Sequence, residues 1–331
     1  MMVINAGRPR YSALIAEHCI AGWSRIWSMG MTDQKQAMMY GLATVLLWST
    51  VATAFKLSLA DLAPVQMLLV ACTASIVVMA AILMLQGRWG LVFRLRRGQY
   101  LQSMLMGLIN PCLYYFLLFG AFDRLPAQEA QPLNYTWALV LAYLSVPFLG
   151  QKLRRIDILA GLVCYAGVVV IATRGAVTSL SFSDPLGVSL ALGSTLVWAS
   201  YWIIATRDTR DPVVGLFLNF LFGLPVIVLV CWQTAGLVMP VGSSMAAAVY
   251  VGVFEMGIAF VLWSQAMKKA ENTSKVSNLI FISPFLSLVF IYFILGEVIL
   301  TSTYVGLVLI IAGLWLQQKK VRDREQALSH G

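Results

Sequence analysis

Phe148-Leu149-Gly150-Gln151 and Ile294-Leu295-Gly296-Glu297 are one turn written twice, 146 residues apart. Small residues follow each copy at the same spacing: Ala160 and Gly167 after the first, Gly306 and Gly313 after the second. The same offset pairs Leu133 with Leu279 and Tyr135 with Phe281. Leu47-Trp48-Ser49 echoes Val197-Trp198-Ala199 at a slightly larger offset. Glycine in the turn takes backbone conformations that other residues resist. The small residues after it let two helices approach closely in lipid, where packing replaces the hydrophobic drive. These positions read as structural.

The turns punctuate a chain that is mostly apolar. Of its 331 residues, 60% are hydrophobic and only 11% charged, where a soluble domain carries about a quarter charged. A helix needs about 20 apolar residues to cross a bilayer. Ten stretches qualify, at roughly 36–58, 65–86, 101–122, 128–148, 156–173, 185–206, 212–233, 244–267, 273–295 and 299–317. The expected fold is therefore all-α and membrane-embedded, with ten transmembrane helices. Five spans per repeat is an odd number, so the second copy must sit upside down. The expected organisation is an N-terminal tail (1–35), a first five-helix repeat (36–173), a second, inverted repeat (185–317) and a C-terminal tail (318–331). Inverted halves are a hallmark of secondary transporters, with the site near the midplane at the repeat interface.

Basic residues orient the bundle. One side collects Arg8, Arg10, Arg25 and Lys35; Arg88, Arg94, Arg96 and Arg97; Lys152, Arg154 and Arg155; Arg207 and Arg210; Lys268, Lys269 and Lys275; and Lys319, Lys320, Arg322 and Arg324. Only Arg124 and Arg174 fall on the other side, with Lys56 near the end of the first span. The positive-inside rule puts both termini in the cytoplasm. The net charge of +9 is thus a collar around apolar spans, which excludes a nucleic-acid-binding face. Lys56 is expected to snorkel to the interface. Glu129 opens the fourth span, where an acid suits the helix dipole.

The cysteines, Cys19, Cys72, Cys112, Cys164 and Cys231, lack CxxC spacing and read as small buried residues, so neither a disulfide framework nor a metal site is expected. No cofactor is expected. Both histidines, His18 and His330, lie in the tails, and no HExxH or P-loop occurs; enzyme chemistry and direct ATP drive are therefore not expected. The first 30 residues carry Trp23, Ile26 and Trp27 among polar residues but no continuous apolar core or A-x-A site. They are expected to be a disordered leader, or translation upstream of a start at Met29 or Met31, rather than an interfacial helix.

The candidate site consists of aromatic and amide residues, of which Trp48, Trp137 and Trp198 lie too near the middle of their spans for an interfacial belt. The first span offers Trp48. The third offers Asn110 beside Pro111, then Tyr114 and Tyr115. The fourth offers Asn134 and Trp137 on one face, with Tyr135 on its flank. The sixth carries a stripe of Trp198, Tyr201 and Trp202. The eighth adds Glu255, reaching Trp263 on one face through Ala259, and the ninth adds Asn278, Ser283 and Pro284. Rings give stacked and T-shaped contacts to a flat substrate, a cationic amine can sit over a Trp or Tyr face, and amides and hydroxyls can meet a carboxylate. A mid-membrane carboxylate such as Glu255 is expensive unless paired, protonated or facing water; it can bind an amine, carry a proton, or bond a neighbouring helix while neutral. Pro111, Pro225 and Pro284 mark possible kinks.

With these residues in view, the chain resembles the drug/metabolite transporter superfamily (EamA-like), from about Lys35 to Lys319. Asn134-Tyr135-Thr136-Trp137, followed by Gly150-Gln151-Lys152, and Val197-Trp198-Ala199-Ser200-Tyr201 are similar to runs in its bacterial inner-membrane aromatic amino-acid exporters. Gln151 stands where the superfamily's turn has Glu, a departure that agrees with that subgroup. The resemblance implies a multi-pass inner-membrane protein that exports aromatic amino acids and related metabolites by alternating access, with ten helices able to enclose the cavity as a monomer. The competing reading is a proton-coupled exporter of cationic drugs or other metabolites in the same fold, for which an aromatic cage and one acid suffice. Nucleotide-sugar carriage would need mid-span basic residues, which are absent.

Overall fold

The computed structural model describes residues 32–150, 155–179, 182, 184–205, 207–270, 276 and 278–329. The expectations for the N-terminal leader, Gln151, Lys152, Arg154, Lys275 and His330 lie outside these residues, as do those for the Lys268 side chain and the side chains of the C-terminal tail. Among the described residues there is no strand. Chain order runs α1 (Asp33–Ser58), α2 (Pro64–Leu85), α3 (Arg97–Arg124), then α4 in two pieces (Ala127–Tyr135 and Trp137–Leu149). It continues through α5 (Arg155–Ala172), α6 (Pro185–Ala205) and α7 (Pro212–Thr234). Three consecutive pieces, Ser243–Tyr250, Val251–Ile258 and Ala259–Lys269, make α8, and Asn278–Phe281, Ile282–Phe290 and Ile291–Leu295 make α9. The last helix, α10, is Thr301–Ser329. Seven of these helices are long and apolar enough to cross a membrane: α1, α2, α3, α5, α6, α7 and α8. Leu279–Leu295 and Thr301–Leu316 are shorter apolar helices.

Local chemistry sets the helix ends. Thr32 caps α1 and Asp211 caps α7, its Oδ1 accepting from Val213 and Val214 N–H, which satisfies donors a helix start leaves open. Pro64 and Pro212 occupy first-turn positions, where no donor is lost. Gly150 and Gly296 end α4 and α9 with the same left-handed conformation, φ +69°, as the repeated turn requires.

The expected continuous span at 128–148 is interrupted. Pro132 removes one helical donor, and the chain tightens at Thr136, whose N–H bonds to the Leu133 carbonyl three residues back. The Thr136 hydroxyl donates to that same carbonyl. Of the other expected kinks, Pro111 follows Asn110, the one residue with non-helical angles inside α3, in a widened stretch at Leu108–Leu113. Pro225 leaves α7 continuous.

Packing follows the small residues. α5 runs against α10, α1 against α8 and α9, α6 against α3 and α4, and α7 against α2 and α3, while α8 also meets α2. At the α5–α10 crossing, a Cβ on Gly313 would lie 2.6 Å from the Ala160 carbonyl oxygen, and one on Gly167 would lie 2.5 Å from that of Gly306. The predicted close approach is therefore backbone to backbone. Gly107 meets the Asn219 backbone and Gly252 that of Ala71 in the same manner. Cys72, Cys112, Cys164 and Cys231 are free and buried.

Ion pairs tie several helix ends together. Arg124 bonds Asp184, and Arg174 bonds Glu129 at 2.7 Å. The Gly187 N–H, together with Arg124, holds the Asp184 carboxyl below its ordinary range. Lys56 is half-buried, and its Nζ donates to the Phe122 and Leu125 carbonyls at 2.8 and 3.1 Å. Those are open acceptors at the end of α3. Beside them, Glu297 accepts from the Ala127 and Gln128 N–H groups at the start of α4.

At the opposite end Arg88 pairs with Asp211. The Arg210 side chain is buried, bonded to Asp208 at 2.6 Å, to the Gln99 carbonyl at 3.0 Å and to Ser103. Burial raises the Asp208 carboxyl, but hydrogen bonds from Arg210 outweigh it and hold the group below its ordinary value. The pair therefore stabilises the fold at neutral pH, and that contribution is lost only as pH falls through the depressed value. Arg210→Ala is expected to destabilise the protein by about 3–5 kcal/mol, read as a lower melting temperature in detergent at pH 7.

Candidate functional site

Six helices enclose a cavity of about 110 Å³, where a single water needs about 10–15 Å³. Helical spacing supplies its walls. α1 turns Trp48, Val51 and Phe55 inward, α3 turns Tyr114, Leu118 and Phe122, and α6 turns Trp198 and Trp202. α4 contributes Gln131, Asn134 and Tyr135 from its first piece and Trp137 from just beyond the break. Glu255, Phe260 and Trp263 come from α8 and Ile280 from α9.

The path from Glu255 to Trp263 differs from expectation. Ala259 is fully buried away from the cavity, and Phe260 takes its place. The reason is the wide i→i+5 turn over Val251–Ile258, which rotates the following residues relative to a regular helix.

Trp198 is the centre of the aromatic wall. It stacks on Tyr114 at 4.4 Å between ring centroids and on Tyr201 at 5.5 Å. Trp202 and Phe260 meet it edge-on at 5.8 and 5.9 Å. A second pair, Trp48 and Trp263, sits at 5.3 Å. Stacked and T-shaped geometries are favourable ones, and Tyr114, Trp198, Trp202, Phe260, Trp48 and Trp263 line the one cavity.

Polar atoms are fixed or open in a definite pattern. Asn134 Nδ2 donates to Ser194 at 3.1 Å. Tyr135 donates to Ser283 at 2.8 Å, and Ser49 to Ser283 at 3.3 Å, tying α4, α9 and α1 together. Trp202 Nε1 and Glu255 Oε2 are buried without a hydrogen-bond partner. The Tyr115 side chain stands beside the Glu255 carboxyl. Buried polar atoms left open are rare and call for an explanation.

Of the twelve residues expected at the site, nine line this cavity: Trp48, Tyr114, Asn134, Tyr135, Trp137, Trp198, Trp202, Glu255 and Trp263. Tyr201 and Asn110 do not. Tyr201 backs Trp198 from behind and approaches Asn219 at 3.5 Å, and the fully buried Asn110 lies next to it. Tyr201 belongs to the expected stripe by spacing, whereas Asn110 sits in the widened turn of α3 with non-helical backbone angles. The Asn278 side chain lies outside the described residues. Seven lining residues escaped the sequence: Val51, Phe55, Leu118, Phe122, Gln131, Phe260 and Ile280. Gln131 was within reach, since it stands three residues before Asn134 on the same face. Among the described residues no cluster of His, Cys, Asp and Glu is placed to hold a metal.

Known proteins resemble this chain along most of its length. The aromatic amino acid exporter YddG of Ancylobacter novellus is 28% identical over 249 residues, covering 72% of this chain and 82% of the relative. A protein of the same name from Salmonella typhimurium is 24% identical, covering 88% of this chain and all of the relative. A probable terminal-alkyne amino-acid exporter of Streptantibioticus cattleyicolor is 26% identical over 68% of this chain and 75% of its own. A solved crystal structure, 25% identical, superposes with a TM-score of 0.62 and covers 88% of this chain and 99% of its own. The model of the EamA-like transporter family matches twice, at residues 35–173 and 185–317. Those two matches carry well over half of the sequence, so this protein belongs to the EamA-like transporter family: it is a multi-pass membrane transporter, not an enzyme.

Proposed function

We propose that this protein exports aromatic amino acids and related small metabolites from the bacterial cytoplasm by alternating access, through ten transmembrane helices in two inverted five-helix repeats. The observation that carries the substrate class is the cavity itself: stacked rings around a single small space, amides and a phenol on one wall, and one carboxylate. The exporter names of the relatives agree with it. Support for the repeats comes from the doubled family match. The packing adds to it: advancing every helix by five turns α1–α8 into α6–α3, α4–α6 into α9–α1, and α2–α8 into α7–α3, and leaves α2–α7 and α5–α10 unchanged. Gly150 and Gly296 share one conformation, and the widened turns of α3 and α8 occupy equivalent places.

The positive-inside distribution supports cytoplasmic termini in an inner membrane. In this reading the domains run as 36–173 and 185–317 between two tails, and a monomer suffices to enclose the site. A cavity without strong charge on most of its walls holds substrate weakly, which suits release on the far side. Trp137→Ala and Asn134→Ala are each expected to cut phenylalanine flux in reconstituted vesicles about tenfold, the equivalent of one lost ring or hydrogen-bond contact, with protein yield unchanged. Normal flux in both variants would remove α4 from the site.

A further inference from the structure

Glu255 is the one charged side chain among the described residues that line the cavity. Its Oε2 is buried and has no hydrogen-bond partner. Among the described residues no lysine, arginine or histidine lines the same space. A carboxylate taken out of water without a cation is costly, and one placed inside a membrane protein marks a ligand or ion pathway. Its neighbour Tyr115 is fully buried, with a hydroxyl that also lacks an ordinary partner. Tyr115 does not line the cavity, whereas Glu255 does. Trp202 also lines the cavity, and its Nε1 is a second buried atom without a hydrogen-bond partner, one that can only donate.

From this pair of complementary vacancies we infer that the cavity selects the ammonium group of its substrate. The inference rests on the proposed transport of aromatic amino acids and sharpens it. Glu255 accepts charge-assisted hydrogen bonds from the α-ammonium, and Trp202 Nε1 donates to the α-carboxylate. The ring lies against Trp198 or the Trp48–Trp263 pair. A zwitterion sets its ammonium against Glu255 and adds no net charge, and an aromatic monoamine neutralises Glu255. An aromatic acid without an amine brings a second negative charge beside Glu255 and finds only the Trp202 donor, so the substrate class is aromatic primary amines and amino acids, to the exclusion of aromatic acids of the same size.

Binding to the purified full-length protein in detergent tests this separately from transport. Titration calorimetry with phenethylamine and with 3-phenylpropionate reads the amine and the acid alone. Phenethylamine is expected to bind at least about tenfold more tightly than 3-phenylpropionate, because a hydrogen bond to a charged group is worth about 1.5–3 kcal/mol. Glu255→Gln is expected to erase most of that ratio and Glu255→Asp to keep part of it, each variant first shown to be monodisperse. Equal affinity of the two ligands, no binding of phenethylamine, or an unchanged ratio in Glu255→Gln would overturn the assignment. Absent phenylalanine flux with the amine preference intact would instead overturn the proposed transport and leave this assignment standing.

Discussion

Gly313→Leu is expected to prevent stable assembly of the protein. A Cβ alone at this position lies 2.6 Å from the Ala160 carbonyl oxygen and 2.9 Å from Cys164 Cβ and N. The obstacle is mostly backbone, so no rotamer change relieves it. Ordinary overpacking costs about 1–3 kcal/mol; here α5 and α10 must separate, and within lipid their close packing is what holds them together. The variant is expected to aggregate on extraction, seen as loss of the monodisperse peak in size-exclusion chromatography. Gly313→Ala, which adds only the Cβ, is expected to fold with a lowered melting temperature. Full stability in the leucine variant would mean that α5 and α10 do not cross at this residue.

Trp198→Ala is expected to disable the site and weaken the fold together. The ring is almost wholly buried and contacts Tyr114, Tyr201, Trp202 and Phe260. Truncating a buried Trp costs about 3–5 kcal/mol, and here it also removes the surface on which four other rings are ordered. Phenylalanine flux in vesicles is expected to vanish at equal protein density, with the melting temperature clearly reduced. Trp198→Phe keeps the stack with Tyr114 and is expected to restore most of the stability and part of the flux. A transport-competent alanine variant would detach the aromatic wall from function.

Much of this architecture was legible in the sequence because its signals are physical rather than statistical. The repeated turn needed glycine at two places, and both adopt the left-handed conformation. The small residues at 160, 167, 306 and 313 had no reason to recur unless two helices touched there. Trp48, Trp137 and Trp198 stood too deep for an interfacial belt, which left a cavity as the alternative to packing.

Other features were hidden for equally physical reasons. Val51, Phe55, Leu118, Phe122 and Ile280 line the cavity, but an aliphatic or phenyl side chain in an apolar helix looks the same whether it faces lipid, core or a void. The wide turn of α8 leaves no mark in Val251–Ile258, so the choice between Ala259 and Phe260 was open to error. The carbonyls of α3 that Lys56 caps were hidden as well, because they belong to residues about 70 positions away.

The central claim is that this cavity passes aromatic amino acids across a membrane. Its most direct test is flux of labelled phenylalanine and tryptophan, alongside a cationic dye, in liposomes carrying the purified protein, with and without a pH gradient. Saturable amino-acid flux that needs no gradient is the expected result. Gradient-dependent flux of the dye alone would contradict it and assign the cavity to cationic drugs.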